Sequence, residues 1–239
     1  MVSIVVPTLN EELAIGATLR ALCALKGEKE IIVSDGGSTD TTVEIAESLG
    51  ARVVHAQCGR GTQMHTGACA ASGEILWFVH ADTAAPPHAL HHILEALQDA
   101  RVCGGNFGLQ FDGESLAARL LTSIYPGLRA FNLSYGDSGI FCRRTVYNAI
   151  GGFRPLMLFE DLDLLRRLRR QGRFVHLKWQ IVTSSRRFEK GNFALTLSHW
   201  STLQVLYWCG VDPNRLARYY AHVRQGASKA IGSATGEPS

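Results

Sequence analysis

The feature that most constrains the fold is a run of five apolar residues, ILWFV, at residues 75–79, which stops abruptly at His80-Ala81-Asp82-Thr83. Such a continuous run is typical of a strand covered on both faces, as in the parallel sheet of an α/β protein. Ligand sites in these sheets lie at the carboxyl ends of the strands. An imidazole and a carboxylate two residues apart could both reach a cation there. The junction therefore predicts metal-assisted chemistry on a phosphorylated substrate.

Strand-like and helix-like segments alternate over the first hundred residues. The predicted strands are short and apolar, and they occupy residues 2–6, 30–34, 52–54 and 75–79. The predicted helices lie at residues 10–25, 41–49, 62–72 and 87–100. This alternation favours an α/β fold with a mostly parallel, twisted sheet flanked by helices. Pro7 is predicted to end the first strand, and the inner face of the first helix is predicted to carry Leu13, Ala17, Leu19 and Leu22.

The pattern changes after residue 102. A strand or a hairpin is predicted at residues 103–111, and further strands at residues 139–142, 174–177 and 181–184. Further helices are predicted at residues 116–121, 143–150, 160–171, 193–207 and 213–224. No linker divides this body, so residues 1–225 are predicted to form one domain. The tail at residues 226–239 is rich in glycine, serine and alanine, which predicts disorder.

Composition excludes several classes of protein. The net charge is only +3, and no basic stretch is interleaved with aromatic residues, so no nucleic-acid partner is expected. The six cysteines are dispersed without a C-x-x-C pair, which is typical of a reducing compartment. The N-terminal MVSIVVPTLNEE lacks a basic n-region and is interpreted as a strand, not a signal peptide. No segment approaches the roughly 18 uninterrupted apolar residues of a transmembrane helix, so a cytoplasmic protein is expected.

The second predicted strand runs into a polar, glycine-containing turn, Asp35-Gly36-Gly37-Ser38-Thr39-Asp40. Asp35 could accept hydrogen bonds from a ribose or a base, and the glycines would let the backbone approach a ligand closely. The alternative is an ordinary β-turn in which Asp40 caps the following helix. For Asp40 the cap is favoured, and for Asp35 both readings stay open.

Several motifs in order resemble one known family. SIVVPTLNEE, IIVSDGGSTDTT and GRGTQMHTGACAASGEILWFVHADT resemble the nucleotide-binding half of inverting family-2 glycosyltransferases with the GT-A fold. YGDSGIFCRRTVYNAIGGF and FEDLDLLRRLRRQGRF resemble their acceptor-side half, so the resemblance covers roughly residues 2 to 190. The closing stretch, VTSSRRFEKGNF through LYWCGVDPNRLARYY, resembles a small bacterial subgroup associated with radical-SAM/selenodomain proteins.

The resemblance implies a GT-A domain made of three parts. Residues 1–100 would form the nucleotide-binding half, residues 101–190 the acceptor and catalytic half, and residues 191–225 C-terminal helices. The substrates would be a UDP- or GDP-sugar and an unknown acceptor.

The resemblance also implies which residues bind the nucleotide. Pro7, Thr8 and Glu11 follow the first strand, where members of the family line the nucleotide pocket. Asp35 matches the acidic residue that contacts the base or the ribose. Arg60 matches a basic residue in the loop that approaches the nucleotide.

The catalytic and metal-binding positions follow in the same way. His80-Ala81-Asp82 occupies the place of the Asp-x-Asp motif, so Asp82 is expected to hold a divalent cation. For His80 two roles remain open, namely ligation of the metal and a hydrogen bond to the ligand. The imidazole favours Mn²⁺ over Mg²⁺. In the Glu160-Asp161 pair, Asp161 matches the general base, which takes the acceptor's proton during a single displacement that inverts the anomeric carbon. Asp137 is the candidate for contact with the acceptor or the donor sugar.

Arg186 and Arg187 are further candidates for bidentate contacts to the diphosphate. The nearest approach to the QxxRW motif of processive synthases is the stretch Ser185-Arg186-Arg187-Phe188, so transfer of one sugar is favoured over polymerisation. The apolar stretch at residues 200–208 predicts core packing, a homodimer contact or peripheral contact with the inner membrane face. The basic run at residues 166–170 is interpreted as a solvated helix side.

Four histidines have weaker signals. His88, His91 and His92 have a spacing that could hold a metal ion on a helix, but no acidic or cysteine residue is expected to complete the set, so a solvated helix face is favoured. His199 precedes the apolar stretch and is a weak candidate for the metal.

Two alternatives differ from a glycosyltransferase. A nucleotidyltransferase shares the strand–helix architecture, but it usually carries a glycine-rich, basic loop after the first strand, where this chain has PTLNEE. A degenerate nucleotide-binding or scaffold protein would explain His80 in place of a carboxylate. The intact Glu160-Asp161 pair argues against that alternative.

Overall fold

The computed structural model describes residues 1–113, 116–130, 136–184 and 193–217. Within these ranges the centre of the molecule is a mixed sheet with the strand order β3-β2-β1-β4-β7-β6-β8-β5. The strands are β1 (Val2–Thr8), β2 (Lys29–Asp35), β3 (Arg52–His55), β4 (Ile75–Phe78), β5 (Thr83–Ala84), β6 (Val102–Phe111), β7 (Phe141–Arg143) and β8 (Arg173–Thr183).

Helices flank this sheet. They are α1 (Ile15–Ala24), α2 (Thr42–Ser48), α3 (Arg60–Ala70), α4 (Ala89–Ala96), α5 (Leu116–Ala130), α6 (Arg144–Ala149), α7 (Glu160–Leu168) and α8 (Phe193–Trp208), with a 3₁₀ turn at Gly136–Ser138. In the part of the chain that the structure describes, no helix combines the length and apolar character needed to cross a membrane.

The predicted α/β fold with a mostly parallel sheet is confirmed. Strands β3, β2, β1 and β4 are parallel, and β6 and β8 are parallel to each other. β7 joins the two groups by pairing antiparallel with both β4 and β6, and the short β5 pairs antiparallel with β8. β7 therefore runs opposite to both of its neighbours, and β6 and β8 run in the same direction as β4, the strand that leads into His80.

The core lies on both faces of the sheet because successive strand residues point to opposite sides. In β1, Ile4 and Val6 pack into the cluster that includes α1 and α4, whereas Val5 packs into the cluster that includes α3 and α7. β4 divides in the same way, with Trp77 on the first side and Phe78 on the second. The buried strand predicted at residues 75–79 is thus confirmed as the middle of the core.

Several predicted boundaries were wrong for physical reasons. β1 continues through Pro7, which is tolerated because the pairing with β4 ends at Val5 and leaves no ladder bond there to lose. The two strands predicted at residues 174–184 are one strand, β8. α1 begins only at Ile15, and Leu13 is 88% exposed because residues 10–13 form a loop against the turn after β2.

Ala17 is likewise exposed, so only the later part of the predicted inner face of α1, Leu19 and Leu22, is buried. Residues 213–217 are helical, as predicted. The remainder of that predicted helix and the predicted disordered tail lie outside the described residues.

Helix α7 is fixed from its N-terminal side by α8. Phe159, directly before α7, has a left-handed backbone with φ 61° and contacts the rings of Trp200 and Tyr207. Leu162 and Leu203 belong to the same small apolar cluster. This packing sets the direction in which the first residues of α7 leave the preceding loop.

Candidate active site

The carboxyl ends of three neighbouring parallel strands meet at one edge of the sheet. β1 lies between β2 and β4, so Thr8, Asp35 and the segment that contains His80 come together although they are far apart in the sequence. This edge is where open α/β sheets bind ligands. The predicted grouping of the strand-end residues is therefore observed.

Asp35 is 1% exposed and organises the turn after β2. One carboxylate oxygen accepts hydrogen bonds from the hydroxyls of Thr8 (3.1 Å) and Ser38 (2.5 Å), and the other accepts from the backbone N–H groups of Gly37 and Ser38 (2.9 Å each). Burial acts to raise the pKa of Asp35, but the hydrogen bonds from Ser38, Gly37 and Thr8 outweigh it, and the pKa is lowered. The carboxylate is therefore ionised, and its hydrogen bonds come from Thr8 of β1 and from the turn after β2.

The loops after β1 and β2 are tied together. The side-chain oxygen of Asn10 accepts from the backbone N–H of Thr39 at 2.8 Å, and Glu11 donates its backbone N–H to the hydroxyl of Thr42 at 2.8 Å. Asp40 accepts from the backbone N–H of Thr42 at 3.0 Å, but the N-cap of α2 is Thr41, so Asp40, the predicted cap, lies one residue before that position. Pro7 and Thr8, at the end of β1, are buried beneath these loops.

Gln63 is a buried residue that sequence reasoning missed. Its side-chain amide donates to the backbone carbonyls of Thr8 (2.6 Å) and Ser34 (3.2 Å), so it fastens α3 across the ends of β1 and β2. A Cβ on Gly36 would lie 2.8 Å from the Gln63 amide nitrogen. The glycine in the turn after β2 was the available signal, since it leaves room for this side chain.

Arg60, the first residue of α3, lies among three carboxylates. Its Nε donates to Glu160, which is 2% exposed, and its terminal nitrogen is 4.0 Å from Asp137. Burial would lower the pKa of Arg60, but the charges of Glu160, Asp161 and Asp137 raise it, so the guanidinium stays ionised. The structure thus joins the predicted nucleotide-binding arginine to the predicted catalytic pair.

His80 contacts Asp137 directly. Its Nδ1 lies 2.8 Å from a carboxylate oxygen of Asp137, and its side chain is only 12% exposed. Among the described residues, the buried Nε2 of His80 has no hydrogen-bond partner. Asp82 is half-buried in the turn that follows, which is closed by a 3.2 Å hydrogen bond from the Thr83 N–H to the His80 carbonyl.

Asp161 lies at the start of α7 and is 7% exposed. One oxygen accepts the Gly136 N–H at 2.5 Å, and the other accepts the Leu162 N–H at 2.8 Å. Burial first, and then the charge of Glu160, raise the pKa of Asp161 to about 6, against the attraction of Arg60 and these two hydrogen bonds. A carboxylate whose pKa is raised toward 7 is suited to accept a proton.

Two glycines permit this close arrangement. A Cβ on Gly136 would lie 3.2 Å from the Asp161 carboxylate, and a Cβ on Gly61 would lie 2.7 Å from the Arg154 carbonyl and 3.1 Å from the Glu160 Cβ. A larger residue at either position would push α7 away from α3 or from the 3₁₀ turn. The two glycines therefore allow Glu160 and Asp161 to lie close to the rest of the site.

The structure brings together Arg60, His80, Asp137, Glu160 and Asp161, and it places Pro7, Thr8, Glu11 and Asp35 in the adjoining strand ends and loops. Arg186 and Arg187 lie outside the described residues. The roles assigned to all of these residues remain predictions.

The histidines of α4 do not lie on a wholly solvated face, so that interpretation was wrong. The side chain of His92 is only 11% exposed, and Glu95 supplies the carboxylate that the sequence reasoning did not find.

The mixed sheet with a polar site at its strand ends defines an α/β protein with a candidate ligand site. Residues 3–156 match the family model Glycosyl transferase family 2, and the chain belongs to this family. This membership sets aside the nucleotidyltransferase alternative.

Curated relatives match shorter parts of the chain than the family model does. Glucosyl-3-phosphoglycerate synthase from Mycolicibacterium smegmatis is 35% identical over 96 residues, which cover 36% of this chain and 32% of that protein. A PGL/p-HBAD biosynthesis glycosyltransferase from Mycobacterium bovis is 37% identical over 90 residues, which cover 34% of this chain and 35% of that protein. The matches span about a third of the length of these curated relatives.

Solved structures with a similar fold cover more of the chain. Mannosyltransferase PcManGT from Pyrobaculum calidifontis, in complex with GDP-Man and Mn²⁺, has a TM-score of 0.69 at 18% identity, covering 99% of this chain and 76% of that one. Glucosyl-3-phosphoglycerate synthase from Mycobacterium tuberculosis, in complex with Mn²⁺, UDP and glucosyl-3-phosphoglycerate, has a TM-score of 0.58 at 25% identity, covering 75% and 70%. The predicted GT-A fold is thereby confirmed.

Proposed function

We propose that the protein transfers a single sugar from a nucleoside-diphosphate sugar to an acceptor hydroxyl, with inversion at the anomeric carbon and with a divalent cation. The observation that carries this proposal is the convergence of Arg60, His80, Asp137 and Asp161 at the carboxyl edge of the sheet. Relatives whose structures hold UDP or GDP-Man together with Mn²⁺ support the class of donor and cation.

The nucleotide binds against the interlocked loops after β1 and β2. Pro7, Thr8 and Glu11 line one side, and Asp35 holds the other side in shape. Both oxygens of Asp35 already accept hydrogen bonds, so a base or ribose would replace the Ser38 hydroxyl as a donor to the carboxylate. The predicted contact of Asp35 with the nucleotide therefore includes a rearrangement of Ser38.

The diphosphate lies between Arg60 and the turn after β4. Arg60 stabilises the negative charge that develops on the leaving group, and Glu160 holds the guanidinium in position. The residues present fit a divalent cation, because the buried Nε2 of His80 has no hydrogen-bond partner among the described residues. Two carboxylates are also available: Asp82 follows His80 by two residues, and Asp137 contacts the His80 ring. The bound cation supplies further positive charge to the diphosphate, and an imidazole in this set favours Mn²⁺ over Mg²⁺.

Asp161 accepts the proton of the acceptor hydroxyl. Its raised pKa keeps it mostly ionised at neutral pH while making it a stronger base than an ordinary aspartate. The backbone N–H groups of Gly136 and Leu162 fix both oxygens, so the base is oriented before the acceptor arrives. Attack from the side opposite the diphosphate inverts the anomeric carbon.

The remaining assignments rest on position for Asp137 and on residue type alone for Arg186 and Arg187. Asp137, 29% exposed between Arg60 and His80, contacts the donor sugar or the acceptor, and Arg186 and Arg187 assist at the diphosphate. Residues 1–225 act as one catalytic domain, in which residues 1–100 bind the nucleotide and residues 101–190 carry the acceptor side.

A binding panel tests the proposal. The melting temperature of the protein is measured with UDP- and GDP-sugars, each with Mn²⁺ and with EDTA, and release of free nucleotide is followed in the same samples. We expect one nucleotide class to stabilise the protein in a Mn²⁺-dependent way and to be hydrolysed slowly. A well-folded sample that no nucleotide stabilises would contradict the proposal.

The exposed apolar side chains of α8 support the predicted contact with a membrane surface or with a second copy of the chain. Val205 is 52% exposed and Trp208 is 56% exposed, whereas Trp200 and Tyr207 pack against Phe159. Co-sedimentation with anionic vesicles tests the first partner, and sedimentation velocity tests the second. A Trp208→Ser variant should weaken whichever contact is present.

A further inference from the structure

Helix α4 carries three metal-ligating side chains that the proposed catalytic chemistry does not use. One nitrogen each of His91 and His92 and one carboxylate oxygen of Glu95 all lie within 4.8 Å of one another. Glu95 lies four residues after His91 and three after His92, so it is on the same side of the helix as each of them, one turn further along. His91 and Glu95 are exposed, so their side chains can adjust their positions.

His92 is held rigidly in this cluster. Its ring stacks on Trp179 of β8, with the ring centroids 3.3 Å apart and the planes 14° from parallel, and its side chain is only 11% exposed. The Nδ1 of His92 is buried and has no hydrogen-bond partner among the described residues, since the nearest carboxylate oxygen, on Glu95, is 3.8 Å away. A buried imidazole nitrogen aimed at a carboxylate beyond hydrogen-bond distance points to a ligand between the two groups.

We propose that His91, His92 and Glu95 form a second divalent-cation site, of the zinc class, at the face of α4 that packs on β8. Two imidazoles and one carboxylate suit Zn²⁺ and related transition metals and are a poor set for Mg²⁺ or Ca²⁺. The predicted cation at the diphosphate belongs to a different part of the fold, after β4. Waters complete the coordination sphere beside the three protein ligands.

The geometry requires only a small adjustment. With bonds of about 2.1 Å and tetrahedral angles, two donor atoms on one zinc ion lie roughly 3.4 Å apart. The cluster therefore contracts by about 1 Å when it binds the ion, and the exposed His91 and Glu95 make that movement while Trp179 keeps His92 in place. Bound metal would join three side chains within about one turn of α4, a helix of eight residues that is too short to be stable alone.

Binding of zinc alone tests the site. Zn²⁺ is titrated calorimetrically into the full chain and into the His91→Ala and Glu95→Gln variants, which change exposed side chains and are expected to fold normally. His55→Ala, which removes an exposed histidine from the end of β3, is the matched control. We expect the wild type and the control to share one Zn²⁺-binding step whose affinity is at least tenfold weaker in each of the two variants, while binding at the active site and at exposed cysteines is unchanged.

A thermal measurement gives a second readout. At a free Zn²⁺ concentration a hundred times the dissociation constant, the wild type should melt roughly 5 to 10 °C higher than without metal. Both cluster variants should lose this shift, whereas Asp82→Asn should keep it because Asp82 is assigned to the other cation. Binding through exposed cysteines is common to all variants and cancels in the comparison.

The proposal is overturned if His91→Ala and Glu95→Gln bind Zn²⁺ as tightly as the wild type. It is also overturned if the zinc-dependent shift disappears in Asp82→Asn and persists in the two cluster variants, because the ion would then occupy the active site.

Discussion

Replacing Asp161 with asparagine should abolish transfer and at the same time stabilise the folded protein at pH 8. The pKa of Asp161 rises from an ordinary value of 3.8 to about 6 in the folded protein, chiefly through burial and then through the charge of Glu160. The ionised carboxylate is therefore less stable in the folded state than in the unfolded chain. A shift of about two pKa units corresponds to about 3 kcal/mol of folding free energy that is lost as the pH rises through 6.

Asparagine removes that cost but keeps only one of the two acceptor oxygens. In the wild type the Gly136 and Leu162 N–H groups each bond to a different carboxylate oxygen of Asp161. One of these hydrogen bonds is therefore lost in the variant, at a cost of about 1 kcal/mol. The net gain in the free energy of unfolding at pH 8 is about 2 kcal/mol. Because the carboxyl of Asp161 is largely protonated at pH 5 in the folded wild type, the variant's gain in the free energy of unfolding should fall there to about half of its value at pH 8 or less.

Urea unfolding of the two proteins at pH 8 and pH 5 measures this difference. Glu47→Gln, which neutralises an exposed carboxylate on α2, is the control and should change the stability by no more than about 0.5 kcal/mol at either pH. If Asp161→Asn has the same effect at both pH values, or destabilises the protein at pH 8, the pKa of Asp161 is not raised and its assignment as a tuned base is wrong.

Three further changes test other parts of the site. Arg60→Met should lower the free energy of unfolding by about 3 kcal/mol, because it leaves the buried Glu160 without its ion pair, and Arg60→Lys should lower it by less. Equal urea midpoints for both variants and the wild type would show that the ion pair does not stabilise the fold. Gly136→Ala should reduce turnover roughly tenfold while nucleotide-dependent stabilisation is unchanged, because the added Cβ displaces the Asp161 carboxylate; a loss of nucleotide binding would show a wider disruption. Asp82→Asn should remove the Mn²⁺-dependent part of the nucleotide-induced rise in melting temperature and keep the part seen in EDTA, and an unchanged Mn²⁺ effect would remove Asp82 from the cation site.

The position of the site could be predicted from the sequence because local patterns encode it. The apolar run before His80 identifies a strand buried on both faces, and parallel strands place their carboxyl ends at one edge. The predicted end of β1 was wrong because the sequence shows Pro7 but does not show that the pairing with β4 has already stopped at Val5. Strand ends thus depend on neighbours that one sequence does not reveal.

The contacts within the site could not be predicted, since they join segments that are distant in the chain. Arg60 and Glu160 are separated by 100 residues, and no local pattern indicates that the arginine of α3 pairs with the first carboxylate of α7. The same limit applies to the contact between His80 and Asp137 and to the buried Gln63. The glycines at these close approaches are visible in the sequence, but their partners are not.

The anomeric configuration of the sugar released by slow hydrolysis tests the central claim most directly. The protein is incubated with Mn²⁺ and the α-linked UDP- or GDP-sugar that stabilises it, and proton NMR follows the first sugar formed before mutarotation mixes the anomers. The account predicts that the β-anomer appears first, and that its release is lost in Asp161→Asn although that variant still binds the nucleotide. Release of the α-anomer, or undiminished release by Asp161→Asn, would contradict the assignment of an inverting transferase with Asp161 as its base.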